Sequence, residues 1–146
     1  MVKRIRLLVL LGAVAIALPL AVVSAGSAGA QPAFADVSIE PNAQYDVLGS
    51  ILHVEVRAAC DGGAGAVVVD VTQSPPETEF PVAFGSGPRS VVCDGSAHEV
   101  GVTIFGEGFD AGRAFATATL TVVDPNNTAQ VLAQDMAQRI IDIRVV

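Results

Sequence analysis

The chain has 146 residues, of which 51% are hydrophobic, and its 15 acidic and eight basic residues give a net charge of −7. This apolar content excludes a disordered chain, and the acidic balance argues against nucleic acid as a partner. The length suffices for one domain with a two-layer core, and the abundance of valine and alanine favours thin β-layers.

The N-terminal segment has the pattern of a secretory signal peptide. Its positive end consists of Lys3, Arg4 and Arg6. Leu7–Val23 is an apolar run of 17 residues, and Ser24–Ala35 is rich in small residues, as signal peptidase requires. A retained transmembrane anchor is the alternative, but the run is short for a span and Pro19 disturbs a helix. We therefore expect a removable signal helix within residues 1–35.

Two small-x-small triplets predict cleavage after Ala30 or after Ala35. Residues 36–146 then keep all 15 acidic residues and five arginines, a net charge of −10, and contain no lysine. No cysteine near the cleavage region accepts a lipid, and the C-terminus lacks an apolar anchoring tail. We expect residues 36–146 to form one secreted, extracellular domain with no membrane contact after cleavage.

Alternating apolar and polar residues predict a series of strands in this domain. In chain order they are Val37–Glu40 with Tyr45–Leu48 as a second piece, Ile51–Cys60, Ala66–Gln73, Val82–Phe84 as a short edge strand, Arg89–Cys93, Ala97–Phe105, Ala114–Val123 and Ile140–Val146. Ile51–Cys60 is the clearest, with Cys60 on its inward face. In Ala114–Val123 the alternation places the threonines on the water face.

Three intervening segments are predicted to lie outside the sheets. Ser74–Glu79 contains two prolines and connects sheets, and Gly85–Pro88 makes a flexible loop that includes Ser86. For Gln130–Arg139 the sequence leaves two alternatives, because Thr128 could cap a helix or the region could be a loop. We favour a short helical or irregular link. Seven or eight antiparallel strands at regular turn spacing then predict an all-β, immunoglobulin-like β-sandwich.

Cys60 and Cys93 are an even pair in a chain expected to be exported, so they are predicted to form a disulfide. A catalytic or metal-binding role would require a C-x-x-C pair or a histidine beside either cysteine, and neither is present. The predicted bond is therefore structural, and it should contribute about 3–4 kcal/mol in the chain-entropy model.

The order of these features resembles a group of small exported actinobacterial domains of unassigned function with an immunoglobulin-like fold. The shared features are Val56–Cys60 at a strand end, Val69-x-Val71-x-Gln73, Cys93-x-Gly95-x-x-His98, and Phe109-x-x-Gly112-x-Ala114-x-Ala116-x-Ala118. The resemblance covers most of residues 36–146 and fits Gln130–Arg139 worst. It implies a Cys60–Cys93 bridge and offers no catalytic residue.

Few groups are available for chemistry. His53 lies on the outward face of its strand, and His98 follows a turn where a structural hydrogen bond is expected. Asp124 to Asp135 matches a calcium loop poorly, since its sixth position is Ala129 and its twelfth is aspartate. Glu107 with Asp110 is a second oxygen-rich loop. We therefore predict no catalytic, cofactor-binding or metal-binding residue, and no enzyme activity.

Three functional classes remain. The first is a secreted, non-catalytic binding module whose end loops contact an extracellular protein or glycan. The second is a small-molecule carrier, by loose similarity to acidic immunoglobulin-like proteins that hold a chromophore, and the third is a hydrolase. A sizeable apolar pocket would favour the carrier, a flat apolar patch the binding module, and a buried carboxylate or histidine with a shifted pKa the hydrolase.

Overall fold

The structure is a computed structural model that describes residues 32–77 and 82–146. The predicted signal helix and the cleavage site after Ala30 lie outside these residues. The described residues contain seven β-strands and no helix, which confirms the all-β prediction. The strands are β1 Phe34–Asp46, β2 Ile51–Asp61, β3 Ala64–Gln73, β4 Ala83–Val91, β5 Ala97–Phe105, β6 Gly112–Asp124 and β7 Asn127–Val145.

The strands close into a barrel in the order β1-β2-β5-β4-β3-β6-β7. This differs from the prediction of two separate, wholly antiparallel sheets, because β1 pairs with β7 in parallel over Asn42–Tyr45. All other neighbours are antiparallel. The β4–β5 seam is the narrowest, since Ser86 and Phe105 are its single paired position, whereas β2 pairs with β5 over Ile51–Ala59.

The barrel interior is filled by small branched side chains from the inward face of each strand. In β2 the predicted phase is confirmed, since Leu52, Val54, Val56, Ala58 and Cys60 are all fully buried. The buried residues of β3 and β6 are valines, alanines and one leucine, together with Gln73 at the end of β3. Tyr45 packs edge-on against Phe109 with ring centroids 5.6 Å apart. Such alternation follows from the two-residue period of a strand.

The prediction of a helical or irregular link at Gln130–Arg139 is wrong, because β7 is one strand through Asn127–Val145. It pairs with β6 along nearly its whole length, with bulges near Val131. Without β7, the second edge of β6 would present unpaired backbone groups, which an adjacent helix could not satisfy. Backbone pairing with β6 therefore outweighs the local helix-capping signal of Thr128.

The predicted break at Gly85–Pro88 is also wrong, since β4 continues through it from Ala83 to Val91. The two glycines face β5 at close range. A Cβ at Gly85 would lie 2.6 Å from Ile104 Cγ2, and a Cβ at Gly87 would overlap the carbonyl oxygen of Thr103. Glycine here permits the close approach of two strands, and it does not mark a flexible loop.

Candidate functional site

The two ends of the barrel differ in the connections that they carry. One end has the two-residue turns at 62–63 and 125–126, together with the loop 92–96. We call it the short-turn end. The opposite end carries the connections 47–50 and 106–111 and the two ends of the β3–β4 connection, and is called the long-loop end. No helix among the described residues is long and apolar enough to cross a membrane.

Large apolar side chains are exposed mainly towards the long-loop end. Val47, Leu48, Val82, Phe84, Phe105, Phe115, Ile140, Val145 and Val146 are all at least 44% exposed there. Leu48, at the tip of the β1–β2 turn, is 98% exposed. The tight turns of the short-turn end offer little contact area, so an interaction surface is better provided by the long-loop end and the sheet beside it.

Four neighbouring strands place their exposed side chains in one line near this end. By register, Phe84 of β4 lies opposite Thr72 of β3, Thr72 opposite Phe115 of β6, and Phe115 opposite Ile140 of β7. All four point outward, and the two phenylalanines and the isoleucine are 59%, 47% and 60% exposed. We call them the phenylalanine row, and we call the solvent side of β4-β3-β6-β7 the outer face.

A second apolar line runs across the same outer face nearer the short-turn end. It consists of Pro88, Val68, Thr119 and Met136, joined by the same registers. Between the two lines lies a polar row made of Ser86, Asp70, Thr117 and Gln138. Apolar side chains thus lie on both sides of a narrow polar band whose one charged member is Asp70.

This use of phenylalanine is unusual. The sequence contains six phenylalanines, and among those the structure describes, Phe109 is buried whereas Phe34, Phe84, Phe105 and Phe115 are exposed. Phenylalanine is among the residues most often buried, because its ring is large and apolar. The sequence contained a signal for this surface. Phe115 alternates in step with Thr117, Thr119 and Thr121, which were predicted to face water, so it should lie on the same side of the strand. The sequence interpretation missed it.

A cleft of about 260 Å³ adjoins the phenylalanine row at the long-loop end. Phe115, Ile140 and Pro75 are the large apolar residues that line it. Arg113 and Glu77 lie at its rim, with Nη2 and Oε1 3.6 Å apart. The cleft is open to solvent, so it extends the outer face instead of enclosing a small molecule.

The predicted disulfide is confirmed and lies at the short-turn end. Cys60 at the end of β2 is bonded to Cys93 in the β4–β5 loop, with Cα atoms 4.5 Å apart. Gly65 of β3 makes room for the bond, since a Cβ there would lie 2.5 Å from Cys93 Sγ and 2.9 Å from Cys60 Sγ. Its position far from the phenylalanine row indicates a structural role.

The histidines lie apart from the outer face. His98 Nε2 donates to Asp94 Oδ1 at 2.8 Å, the type of local bond predicted for it. This bond, together with the backbone N–H of Ser96, lowers the pKa of the Asp94 carboxyl below its usual value. His53 is exposed on β2, beside a polar cleft that also includes Glu55 and Arg144. Ser86 pairs with Phe105 inside a strand, which is not the setting of a hydrolase nucleophile.

The two acidic segments considered for calcium are used within the fold. Asp124 Oδ1 accepts from the N–H of Asn126 at 2.7 Å, whereas Asp135 Oδ2 accepts from the N–H of Val37 at 2.9 Å. Asp110 exchanges two backbone hydrogen bonds with the buried side chain of Gln73, each 2.9 Å long. Residues 32–77 and 82–146 contain no group of three acidic, histidine or cysteine residues arranged to hold a metal ion.

Comparison with known proteins adds no family to this description. No protein-family model matches the chain, and a search of curated proteins finds no significant match. The outer face is therefore interpreted from its own residues. Exposed rings beside a polar band can bury apolar area against a partner, and the aligned threonine, serine and glutamine side chains can supply hydrogen bonds around it.

Proposed function

We propose that residues 36–146 form a secreted, non-catalytic binding module that contacts its partner through the outer face. The observation that carries this proposal is the phenylalanine row, in which Phe84, Phe115 and Ile140 are exposed in one line, with Thr72 between the two phenylalanines. An exposed apolar surface of this kind costs solubility, and in soluble proteins such surfaces mark interaction sites. Phenylalanine and isoleucine gain free energy in proportion to the apolar area that a partner covers.

The other two classes receive less support. A small-molecule carrier would use a pocket of roughly 300–1,000 Å³ that encloses most of its ligand. The cleft beside Phe115 is smaller, at about 260 Å³, and open. A hydrolase would be favoured by a buried acid or histidine with a shifted pKa, whereas the lowered pKa of Asp94 belongs to a solvent-exposed carboxyl in a turn.

We also propose that the module is immunoglobulin-like, in keeping with the family resemblance of the sequence. Divided at the β4–β5 seam, the barrel order gives β1-β2-β5 and β4-β3-β6-β7, which correspond to the immunoglobulin strands A-B-E and C′-C-F-G. The narrow β4–β5 seam and the longer β3–β4 pairing support an arrangement in which β4 belongs to the β3-β6-β7 side. The disulfide is compatible with the proposed extracellular location.

Site-specific photo-crosslinking in the producing culture tests the contact surface. A photoreactive phenylalanine analogue replaces Phe115, Phe84 or, as the control within residues 36–146, Val92, which is 64% exposed at the short-turn end. We expect positions 84 and 115 to give adducts of the same mass, and position 92 to give none. Equal adducts from all three positions, or none from 84 and 115, would contradict the proposal.

A further inference from the structure

We propose that the outer face receives an extended protein segment that places a lysine or arginine side chain over Asp70, with apolar side chains two residues away on either side. This inference rests on the proposed binding function and specifies the chemistry of the partner. Under this proposal the two apolar lines bind apolar side chains of the partner, and Asp70 between them binds its cationic side chain.

The position of Asp70 provides the first argument. Asp70 is half-buried at the centre of β3, between Thr72 of the phenylalanine row and Val68 of the second apolar line. Across the sheet it lies opposite Ser86 on one side and Thr117 on the other. Within the described part of the chain, no hydrogen bond or ion pair involves its carboxylate.

The charge balance provides the second argument. Arg113, at the edge of the outer face, lies near Glu77, and residues 36–146 contain no lysine. A carboxylate that loses water when a partner covers it is destabilised unless a cation or donor replaces that water. A second copy of this acidic chain would bring further negative charge, so a cationic partner is the better complement.

The spacing of the outer face provides the third argument. Along β3, every second residue points outward. Asp70 is therefore roughly 7 Å from Val68 on one side and from Thr72 on the other. An extended peptide has the same repeat, so its residues i, i+2 and i+4 can face the two apolar lines and Asp70 together. The matching pattern is apolar–x–lysine or arginine–x–apolar.

The side-chain types favour a polypeptide over a glycan. The two apolar lines contribute Phe84, Phe115, Ile140 and Met136, none of which has a strong donor or acceptor. The chain has no tryptophan, and its one tyrosine is buried. Sugars carry hydroxyl groups that require hydrogen bonds when covered, whereas apolar side chains do not.

The test is an NMR titration of the isotopically labelled protein with two capped peptides. The first has the sequence glycine–leucine–serine–lysine–serine–leucine–glycine, and the second has glutamate in place of lysine. We expect the lysine peptide to shift the amides of Val68–Thr72 and Phe115–Thr119, and to bind at least about fivefold more tightly than the glutamate peptide.

Variants make the role of Asp70 specific. Asp70→Asn should weaken binding of the lysine peptide by roughly threefold or more, and should leave binding of the glutamate peptide equal or stronger. Glu55→Gln removes the same charge from an exposed position of β2, away from the outer face, and should leave the ratio of the two peptide affinities unchanged. Thermal unfolding and amide spectra of both variants verify that the fold is intact.

Each remaining outcome decides between the two proposals. If both peptides shift the outer face with equal affinity, or if Asp70→Asn has no effect, the cationic partner is wrong and the binding face stands. If a chitin or cellulose oligosaccharide shifts the outer face and the peptides do not, a polypeptide partner is wrong although the binding module stands. If none of these probes shifts it, the result counts against both.

Discussion

Asp135 of β7 accepts a hydrogen bond from the backbone N–H of Val37 in β1, with Oδ2 and N 2.9 Å apart. The two strands pair through their backbones further along, at Asn42–Tyr45. Arg139 reinforces the same side, because its Nη1 donates to the carbonyl oxygen of Ile39 at 2.9 Å. Side chains of β7 therefore continue the closure of the barrel where its backbone ladder with β1 ends.

Asp135→Ala should destabilise the domain by about 1–2 kcal/mol, because the Val37 N–H loses a charged acceptor in a half-buried position. Asp142→Ala, in the exposed part of the same strand, is the matched control and should cost less than about 0.5 kcal/mol. Urea unfolding measures both, and amide exchange at Val37 should accelerate in Asp135→Ala alone. Equal losses in the two variants would contradict this role.

Gly87→Ala should destabilise the domain by about 2 kcal/mol or more, because its Cβ would overlap the carbonyl oxygen of Thr103. The comparison is Gly101→Ala in β5, where nothing lies within 4 Å of the added Cβ. This second variant should be neutral or slightly stabilising, since alanine restricts the unfolded chain more than glycine does. The denaturant midpoints of the two variants are compared with that of the unmodified protein. An unchanged midpoint for Gly87→Ala would show that β4 and β5 approach less closely than in this structure.

Reduction of the Cys60–Cys93 bond should lower the free energy of unfolding by about 3–4 kcal/mol, because the bond closes a 33-residue separation in the unfolded chain. Intact-mass measurement with and without alkylation should detect no free thiol before reduction and two after it. Gly65→Ala should reproduce part of this loss with the bond still intact, since its Cβ would crowd both sulfur atoms. Two alkylated cysteines in the untreated protein would contradict the structure.

The Asp94–His98 pair should be visible in acid titration. Asp94 has a pKa below its usual 3.8, first because His98 donates to it and then because Ser96 N–H does. The stabilisation linked to a lowered carboxyl pKa is present above the unfolded value and is lost as the pH falls through the folded one. His98→Ala should move the Asp94 midpoint, followed by carboxyl NMR, upwards towards 3.8. His53→Ala, on a different strand, should leave it in place.

The two predicted cleavage sites differ in what they would remove from β1. Ala35 pairs with Cys60 in the β1–β2 ladder, and Ala33 lies against Gly62, where an added Cβ would be 2.9 Å from its Cα. Cleavage after Ala35 would remove the first two pairings of β1, those of Phe34 with Asp61 and of Ala35 with Cys60, whereas cleavage after Ala30 would preserve them. We therefore expect the mature protein to begin at Gln31, and N-terminal mass analysis would contradict this by finding Asp36 first.

Local alternation was sufficient to predict much of the fold. It gave the extent and inward face of β2, the water face of β6 and an all-β domain, whereas the Cys60–Cys93 bond followed from the even number of cysteines in a chain expected to be exported. It failed where pairing with a distant strand decided the conformation. Residues 130–139 have weak periodicity and become a strand because β6 needs a partner, and Gly85–Gly87 stays extended because β5 lies against it.

The outer face was not predicted as a site for a related physical reason. Each exposed phenylalanine, considered alone, is an ordinary apolar residue in a strand with alternating residues. Their alignment depends on registers that join β4, β3, β6 and β7, which are far apart in the sequence. Asp70 likewise becomes a candidate binding residue only because it lies between two apolar lines. Those lines are formed by four strands and cannot be detected in a short segment of sequence.

The rings of Phe84 and Phe115 lie outside the barrel, whereas its interior consists mainly of valine and alanine. Changes to the surface and changes to the packing can therefore occur independently in evolution. Substitutions at Phe84, Phe115 or Asp70 change the solvent side of the barrel and leave the packing of Val69 and Ala116 intact. Descendants of this chain can therefore vary the chemistry of this surface at a few positions, without a compensating change in the residues that fold the domain.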